Sequence, residues 1–178
     1  MEIPDPTDCG PETFGRMYDA YFARVYNYIR MRVRDAGTAD DITSTVFERA
    51  LDKLHSYDAQ EGDFAPWLFG IARNAVNDHY RRLSLWKFTG LDLFENLAGR
   101  DPSPEKSAAD GESREMLLAA LAALDDRERD ILAMKFSSGM KNREIASATG
   151  LGESNVAVII FRALERLQTL LPREEARL

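Results

Sequence analysis

The chain has little sulfur and little histidine. Cys9 is the single cysteine among 178 residues, so no internal disulfide can form and a reducing compartment suits the protein. His55 and His79 are the only histidines, and neither has cysteine neighbours at ligand spacing, which argues against a zinc or other metal site. The opening residues MEIPDPTDCG lack the basic and apolar blocks of a secretion signal. Apolar runs are all shorter than a bilayer span, so the sequence reads as cytoplasmic, with no membrane insertion of its own. There is no GxxxxGK[ST] stretch to hold a nucleoside triphosphate. With no Ser/His/Asp set and no convergent carboxylate pair either, the expectation is a protein without catalytic residues or cofactors, not an enzyme.

Basic charge is scarce too. The net charge is −7, and a nucleic-acid binder needs Lys and Arg for phosphates, so the total points away from one. The distribution points the other way. Residues 1–65 hold 7 Lys and Arg against 13 Asp and Glu, whereas residues 66–90 hold 4 against 1. Residues 91–115 hold 3 against 7, and residues 116–178 hold 9 of each. A basic island and a neutral C-terminal block therefore stand apart from acidic surroundings.

What the chain has in quantity is apolar residues at helical spacing. They make up 44% of it, enough for one ordinary domain or two small ones. Phe14, Tyr18, Tyr21, Phe22, Val25, Tyr26, Ile29 and Val33 form one stripe and predict a long first helix. Beyond Gly37, Thr38 or Asp40 is expected to cap a second helix, with the stripe Ile42, Val46, Phe47, Ala50, Leu51 and Leu54. A polar loop, SYDAQEGD, leads to a third helix starting near Pro66. That helix is expected to bury Trp67, Leu68, Ile71, Ala72 and Ala75, and to present Arg73, Asn74, Asn77, Asp78 and Arg81. From about Leu85 to Gly111 the periodicity gives way to Gly, Pro, Ser and acidic residues, which predicts an interdomain linker. Helical pattern resumes at Met116, Leu117, Leu121 and Leu124, then at Ile131, Leu132 and Phe136 behind an Asp125 or Asp126 cap. Two more helices end before Pro172, and the fold class is all-α without strands or repeats.

In the C-terminal block, Ala146, Gly150 and Val156 stand at the spacings a helix-turn-helix needs. These are a small residue where the helices cross, a glycine for a positive φ in the turn, and an apolar anchor for the second helix. Ile145, Leu151 and Ile159 supply flanking core contacts. Val156, Ile159, Ile160 and Ala163 share one helical face and are expected to be buried. Ser154, Asn155, Ala157, Val158, Phe161 and Arg162 are left for groove and solvent, with Lys141, Asn142 and Arg143 as phosphate anchors from the preceding helix. On spacing alone, the same residues also fit a plain helical hairpin. The segment DFAPWLFGIARNAVNDHYRR, residues 63–82, combines aromatics with an Arg/Asn face, as single-stranded nucleic-acid binding requires. A core tryptophan beneath a solvated polar face has the same composition.

The run TADDITSTVFERAL at 38–51, followed by FAPWLFGIARNAVNDHYRR at 64–82, resembles region 2 of bacterial RNA polymerase sigma factors of the extracytoplasmic-function (ECF) group, within the sigma-70 family. The run LLAALAALDDRERDILAMKFSSGMKNREIASATGLGESNVAVIIFRALERL at 117–167 resembles region 4 of the same group. The resemblance implies two small helical domains, a region 2 bundle and a region 4 helix-turn-helix, joined by a flexible linker. The expected division is 1–11 leader, 12–84 region 2, 85–112 linker, 113–172 region 4 and 173–178 tail.

The resemblance also implies roles. Region 2 would dock on the clamp helices of the polymerase β′ subunit through Asp40, Asp41, Phe47 and Glu48, with Ser44 and Thr45 at two further positions of that motif. It would capture the melted non-template strand of the minus-10 element with the loop Ser56 to Phe64 and the helix after it. Phe64, Asn74, Asn77, Asp78 and Arg81 would face DNA there, Arg73 and Arg82 would hold its backbone, and Trp67 would be core. Region 4 would sit on the β flap and read the minus-35 element with Lys141, Asn142, Arg143, Ser154, Asn155, Ala157, Val158 and Arg162. Partners implied are core polymerase, promoter DNA and an anti-sigma factor. The implied activity is transcription initiation at chosen promoters, including their melting. The alternative is a stand-alone helix-turn-helix transcription regulator that never meets the polymerase.

Overall fold

The computed structural model describes residues 11–33, 35–58, 60, 63–88, 117, 119–121 and 123–171. The expected leader up to residue 10, with Cys9, most of the expected linker and the tail lie outside the described residues. Among those described there is no strand.

Helix α1 runs Pro11–Arg32 and buries Met17, Tyr21, Val25, Tyr28 and Ile29, a three-and-four spacing that turns one stripe to the core. Helix α2 runs Ala36–Lys53. Its cap is Asp35, whose carboxylate accepts the Thr38 backbone N–H at 2.6 Å. Neither Thr38 nor Asp40 caps it: Gly37 is absorbed into the first turn because its extra backbone freedom costs little at a helix end. Ala39, Ile42, Thr43, Val46, Phe47 and Ala50 are its buried face, and the Thr43 hydroxyl is satisfied by the Ala39 carbonyl at 2.7 Å. A single 3-10 turn, Leu54–Ser56, ends it.

Helix α3 runs Phe64–Phe88, reaching into the stretch expected as linker. Phe64, Leu68, Phe69, Ile71, Ala72, Ala75 and Val76 are buried. Beyond them residues 80–84 are exposed, so the second half of α3 extends past the bundle that α1, α2 and the first half of α3 form.

The C-terminal unit begins with α4, Asp126–Leu132, capped by Asp125 in a reciprocal box with Glu128. The helix continues as one wide turn, Ala133–Ser137, and reverses at Gly139, φ 71°. Helix α5, Asn142–Thr149, and helix α6, Glu153–Leu170, complete it. Ile131, Leu132, Met134, Met140, Ile145, Val156, Ala163 and Leu167 are its buried centre. Phe136, expected on the apolar stripe, is 59% exposed, because the wide turn rotates it away from the core.

Candidate nucleic-acid interface

Between α5 and α6 the chain turns at Gly150, whose φ of 73° is left-handed and whose N–H donates to the Ala146 carbonyl. Leu151 donates to the same carbonyl at 3.1 Å, and Val156 at 0% exposure pins α6 beneath α5. The helix-turn-helix geometry is therefore present, with the small residue, the glycine and the anchor in their expected places. Ile160 and Ala163 are buried as expected, whereas Ile159 is only half-buried at the edge of the core. Ser154, Asn155, Ala157, Val158 and Arg162 are exposed on α6, and so is Phe161 at 62%. The outer face of the reading helix is thus apolar at its middle and polar at its first turn. Of the anchors on α5, Lys141 and Arg143 are exposed, while the Asn142 side-chain oxygen accepts Lys135 Nζ at 3.0 Å.

On α3, Asn74 and Arg81 are exposed and Asn77 half-buried. Asp78 is held between two cations, Arg49 at 3.0 Å and Arg81 at 3.7 Å, so it positions Arg81 and offers no free charge. Arg82, whose Nε donates to the Asp78 carbonyl at 3.3 Å, borders a shallow groove with Thr38, Asp41, Ile42, Thr45, His79 and Leu83. Burial, helped by Arg82, holds the His79 pKa below its ordinary value, which keeps the ring neutral near pH 7. Phe64 requires a correction. It is 6% exposed and packs against Tyr21, Tyr57 and Trp67 with ring centroids 5.3–5.4 Å apart, so it stands in the core under the loop and its ring does not lie on the surface. Trp67 is half-buried in the same aromatic cluster. Of the expected capture loop, residues 59, 61 and 62 lie outside the described residues.

On α2, Asp40, Asp41 and Glu48 are exposed, with Ser44 between them. The first two lie past the first turn, so they neither cap the helix nor serve its dipole. Phe47 is a second correction. At 6% exposure it is buried under Tyr18, with centroids 4.6 Å apart, and beside Phe22 at 6.2 Å. The apolar surface beside the acids is made instead by Tyr18, Phe22 and Leu51, which are 38%, 37% and 52% exposed. Their periodicity placed them on the core stripe, and only the packing of α1 on α2 turns them out.

The residue that sequence reasoning missed is Asp130, in α4 and 4% exposed. Its carboxylate accepts the Tyr28 hydroxyl at 2.5 Å and Arg73 Nε at 2.7 Å, and Arg32 Nε stands 3.8 Å away. Burial and the adjacent carboxylate push the Tyr28 hydroxyl well above its ordinary pKa. Arg32 also donates to the Asp126 carbonyl at 2.8 Å, and Arg24 to the Ser138 carbonyl at 2.7 Å. The N-terminal bundle and the helix-turn-helix unit are thus packed on one another, α1 against the wide turn after α4 and α3 against α5. The one signal in the sequence was an acid four residues before a core methionine, Met134, too common a pattern to read.

Comparison with known proteins agrees with this geometry. The family model described as sigma-70 region 2 matches residues 17–85, and that for sigma-70 region 4 matches residues 114–167. The chain is 37% identical over 175 residues to the ECF RNA polymerase sigma factor BldN of Streptomyces coelicolor, covering 97% of this chain and 66% of that one. It is 29% identical over 161 residues to the ECF sigma factor SigM of Bacillus subtilis, covering 90% of this chain and 96% of that one. In fold it is similar to RpoE solved with the anti-sigma factor NepR from Bartonella quintana, with a TM-score of 0.75 at 19% identity over 92% of this chain and 99% of that one. It is also similar to CnrH solved with the cytosolic domain of CnrY, with a TM-score of 0.71 at 22% identity over 93% of each. With both regions matched in order and each built as its own helical unit, the chain belongs to the extracytoplasmic-function group of the sigma-70 family of RNA polymerase sigma factors.

Proposed function

We propose that the chain joins core RNA polymerase, directs it to promoters with two elements, and opens the DNA at the nearer one. The observation that carries this is the pairing of two readers in one chain. One is a helix-turn-helix with its glycine in the left-handed turn, and the other is a strand-capturing α3 with Asn74, Asn77 and Arg81 along one face. A stand-alone operator binder has use for the first and none for the second.

In this reading Asp40, Asp41 and Glu48 meet the polymerase clamp, with Tyr18, Phe22 and Leu51 as the apolar part of that surface in place of Phe47. Arg73 and Arg82 hold phosphates of the melted strand. Asn74, Asn77 and Arg81 approach its bases or backbone, beside a hollow lined by Tyr57, Asp58, Asp63 and Trp67 in which an unstacked base can lodge. On the second unit, Lys141 and Arg143 hold phosphates, Ser154, Asn155 and Arg162 meet base edges or backbone, and Ala157 and Val158 meet thymine methyls. Asn142 orients Lys135. Few basic residues are needed on α6, because the polymerase supplies most of the grip on DNA. Work of this kind is done in the cytoplasm, uses binding energy alone, and makes the chain no enzyme. An anti-sigma protein is the partner expected to hold it idle, and no helix among the described residues is long and apolar enough to cross a membrane.

The test is transcription from fragments of the source genome by core polymerase with and without the purified chain, followed by mapping of the start sites. New start sites sharing two upstream elements are expected. No new start site, together with tight binding of duplex operators by the chain alone, would refute the proposal in favour of the stand-alone regulator.

A further inference from the structure

Tyr80 stands on α3 among the residues that the proposed function assigns to the melted strand, and that reading gives it no task. Asn77 lies three residues before it, Arg73 seven before and Ser84 four after, and at these spacings side chains share one side of a helix. Asn74 and Arg81 flank the same side. Of the other aromatic rings on α3, Phe64 and Phe69 are buried and Trp67 is half-buried, whereas Tyr80 keeps 37% of its surface exposed. The strand-facing side of α3 therefore carries a ring as well as amides and guanidinium groups.

That ring is held in place. Its hydroxyl donates to the carbonyl of Arg32, the last residue of α1, where helix carbonyls have no partner within the helix. The Arg32 guanidinium stands over one face, 5.9 Å from the ring centre, and Arg32 is itself buried at 5% exposure, so this backing is fixed. His79 meets the ring nearly edge-on, with centroids 5.6 Å apart and planes at 70°. With one face backed by a cation, a ligand can stack only on the other. A tether between α3 and α1 needs the hydroxyl alone, and a ring serving as core would be covered. A ring fixed before its ligand arrives loses little freedom on binding, which favours a planar group laid on it. Beside Asn77 and Arg81, the planar group that fits is an unpaired nucleobase.

We propose that Tyr80 is a stacking platform for one unpaired base of the melted strand, held ready by Arg32 and set among the polar groups of α3. Every base has a face to stack, so the platform retains the strand whichever base stands there and leaves selection to its neighbours. This assignment rests on the sigma-factor reading of α3.

The test uses core polymerase with the full chain, first to map a start site and then on a fork built from that promoter. The fork is duplex through the farther element and carries only the non-template strand over the nearer one. Bases of that strand are replaced singly by aminopurine, a fluorescent analogue dimmed by stacking. At one position the signal is expected to be dim with the unaltered chain and bright with Tyr80→Leu. Tyr80→Leu should also weaken fork binding roughly tenfold, within the range for one base on one ring, and by the same factor at low and high salt, since stacking releases no counterions. Tyr80→Phe keeps the ring and loses the tether, so it should keep the dimming while lowering the urea midpoint. Tyr80→Met fills the space without a ring and takes the place of Tyr80→Leu if that variant loses helical signal. Unchanged fork binding by the folded ringless variant would overturn the platform and leave the sigma-factor reading intact. Equal losses in Tyr80→Phe and Tyr80→Leu, with no position dimmed, would do the same and reduce Tyr80 to a tether. If the unaltered chain gives core polymerase no start site, the sigma-factor reading itself fails and the platform falls with it.

Discussion

Replacing Ile145 with alanine tests the C-terminal unit at its centre. Ile145 has no exposed surface, and it packs among Met134, Met140 and Val156 in the apolar cluster under the helix crossing. The substitution removes three carbons, about 2.4 kcal/mol of transfer energy at ~0.8 kcal/mol each, and the cavity left behind brings the loss to about 3–4 kcal/mol. A unit of about 50 residues is stable by only about 3–8 kcal/mol, so most of its margin goes. The assay separates the halves, because Trp67 and Trp86 are the only tryptophans and both lie on α3. Tryptophan fluorescence in urea therefore follows the bundle, while far-ultraviolet circular dichroism follows both units. With a slope of about 1 kcal/mol/M for so small a unit, the circular-dichroism midpoint of the C-terminal transition should fall by about 3 M. A fall below about 0.5 M would refute the reasoning, since it would mean that α5 is not held by this core.

Asn155→Ala, at an exposed position of α6, is expected to reduce transcription from the chain's own promoters by about tenfold with no change in urea midpoint; an equal loss of helicity would assign it to the fold. Gly150→Ala should cost about 1–2 kcal/mol from the left-handed φ of 73° alone, since an added Cβ meets nothing within 4 Å, and thermal unfolding reads it. Asp35→Ala should cost about 1 kcal/mol through the lost cap of α2. Hydrogen bonds from the Thr38 backbone N–H and the Thr38 side chain hold the Asp35 carboxyl below its ordinary pKa. Its stabilisation is therefore complete above the ordinary carboxylate range and lost as pH falls through the lower, folded value, so the stability curves of the two proteins should converge in acid. Tyr28 has the opposite sign: its raised pKa gives stability that is whole below about pH 10 and lost as pH rises through the folded value. Tyr28→Phe should accordingly remove part of the alkaline fall in stability, measured by denaturant titration across that range.

Helix periodicity carried most of the local structure. The stripes of α1, α2 and α3 are regular enough that only ends and faces moved, and those moved for local reasons. Asp35 displaced Thr38 and Asp40 as the cap because its carboxylate reaches the Thr38 N–H, and α3 ran on to Phe88 because nothing before Thr89 breaks it. The turn at Gly150 was legible because only glycine takes that φ at little cost, so a single residue type marks it. Side-chain exposure was less legible. Phe47 and Phe64 are aromatic residues within functional motifs, yet both are core, while Tyr18 and Phe22 on the core stripe stand partly outside it. Periodicity assigns a residue to a face, and the neighbouring helix decides how much of that face is covered.

By itself the sequence determined an all-α chain of two helical units and the family that uses them in that order. It could do so because helical period, turn chemistry and motif spacing are properties of residues close together along the chain. The tertiary structure alone decided that the units pack on each other and that Asp130 draws Tyr28, Arg32 and Arg73 together. Those partners lie 57 to 102 positions from Asp130, and an acid that finds its cations at that distance leaves no periodic trace in the chain.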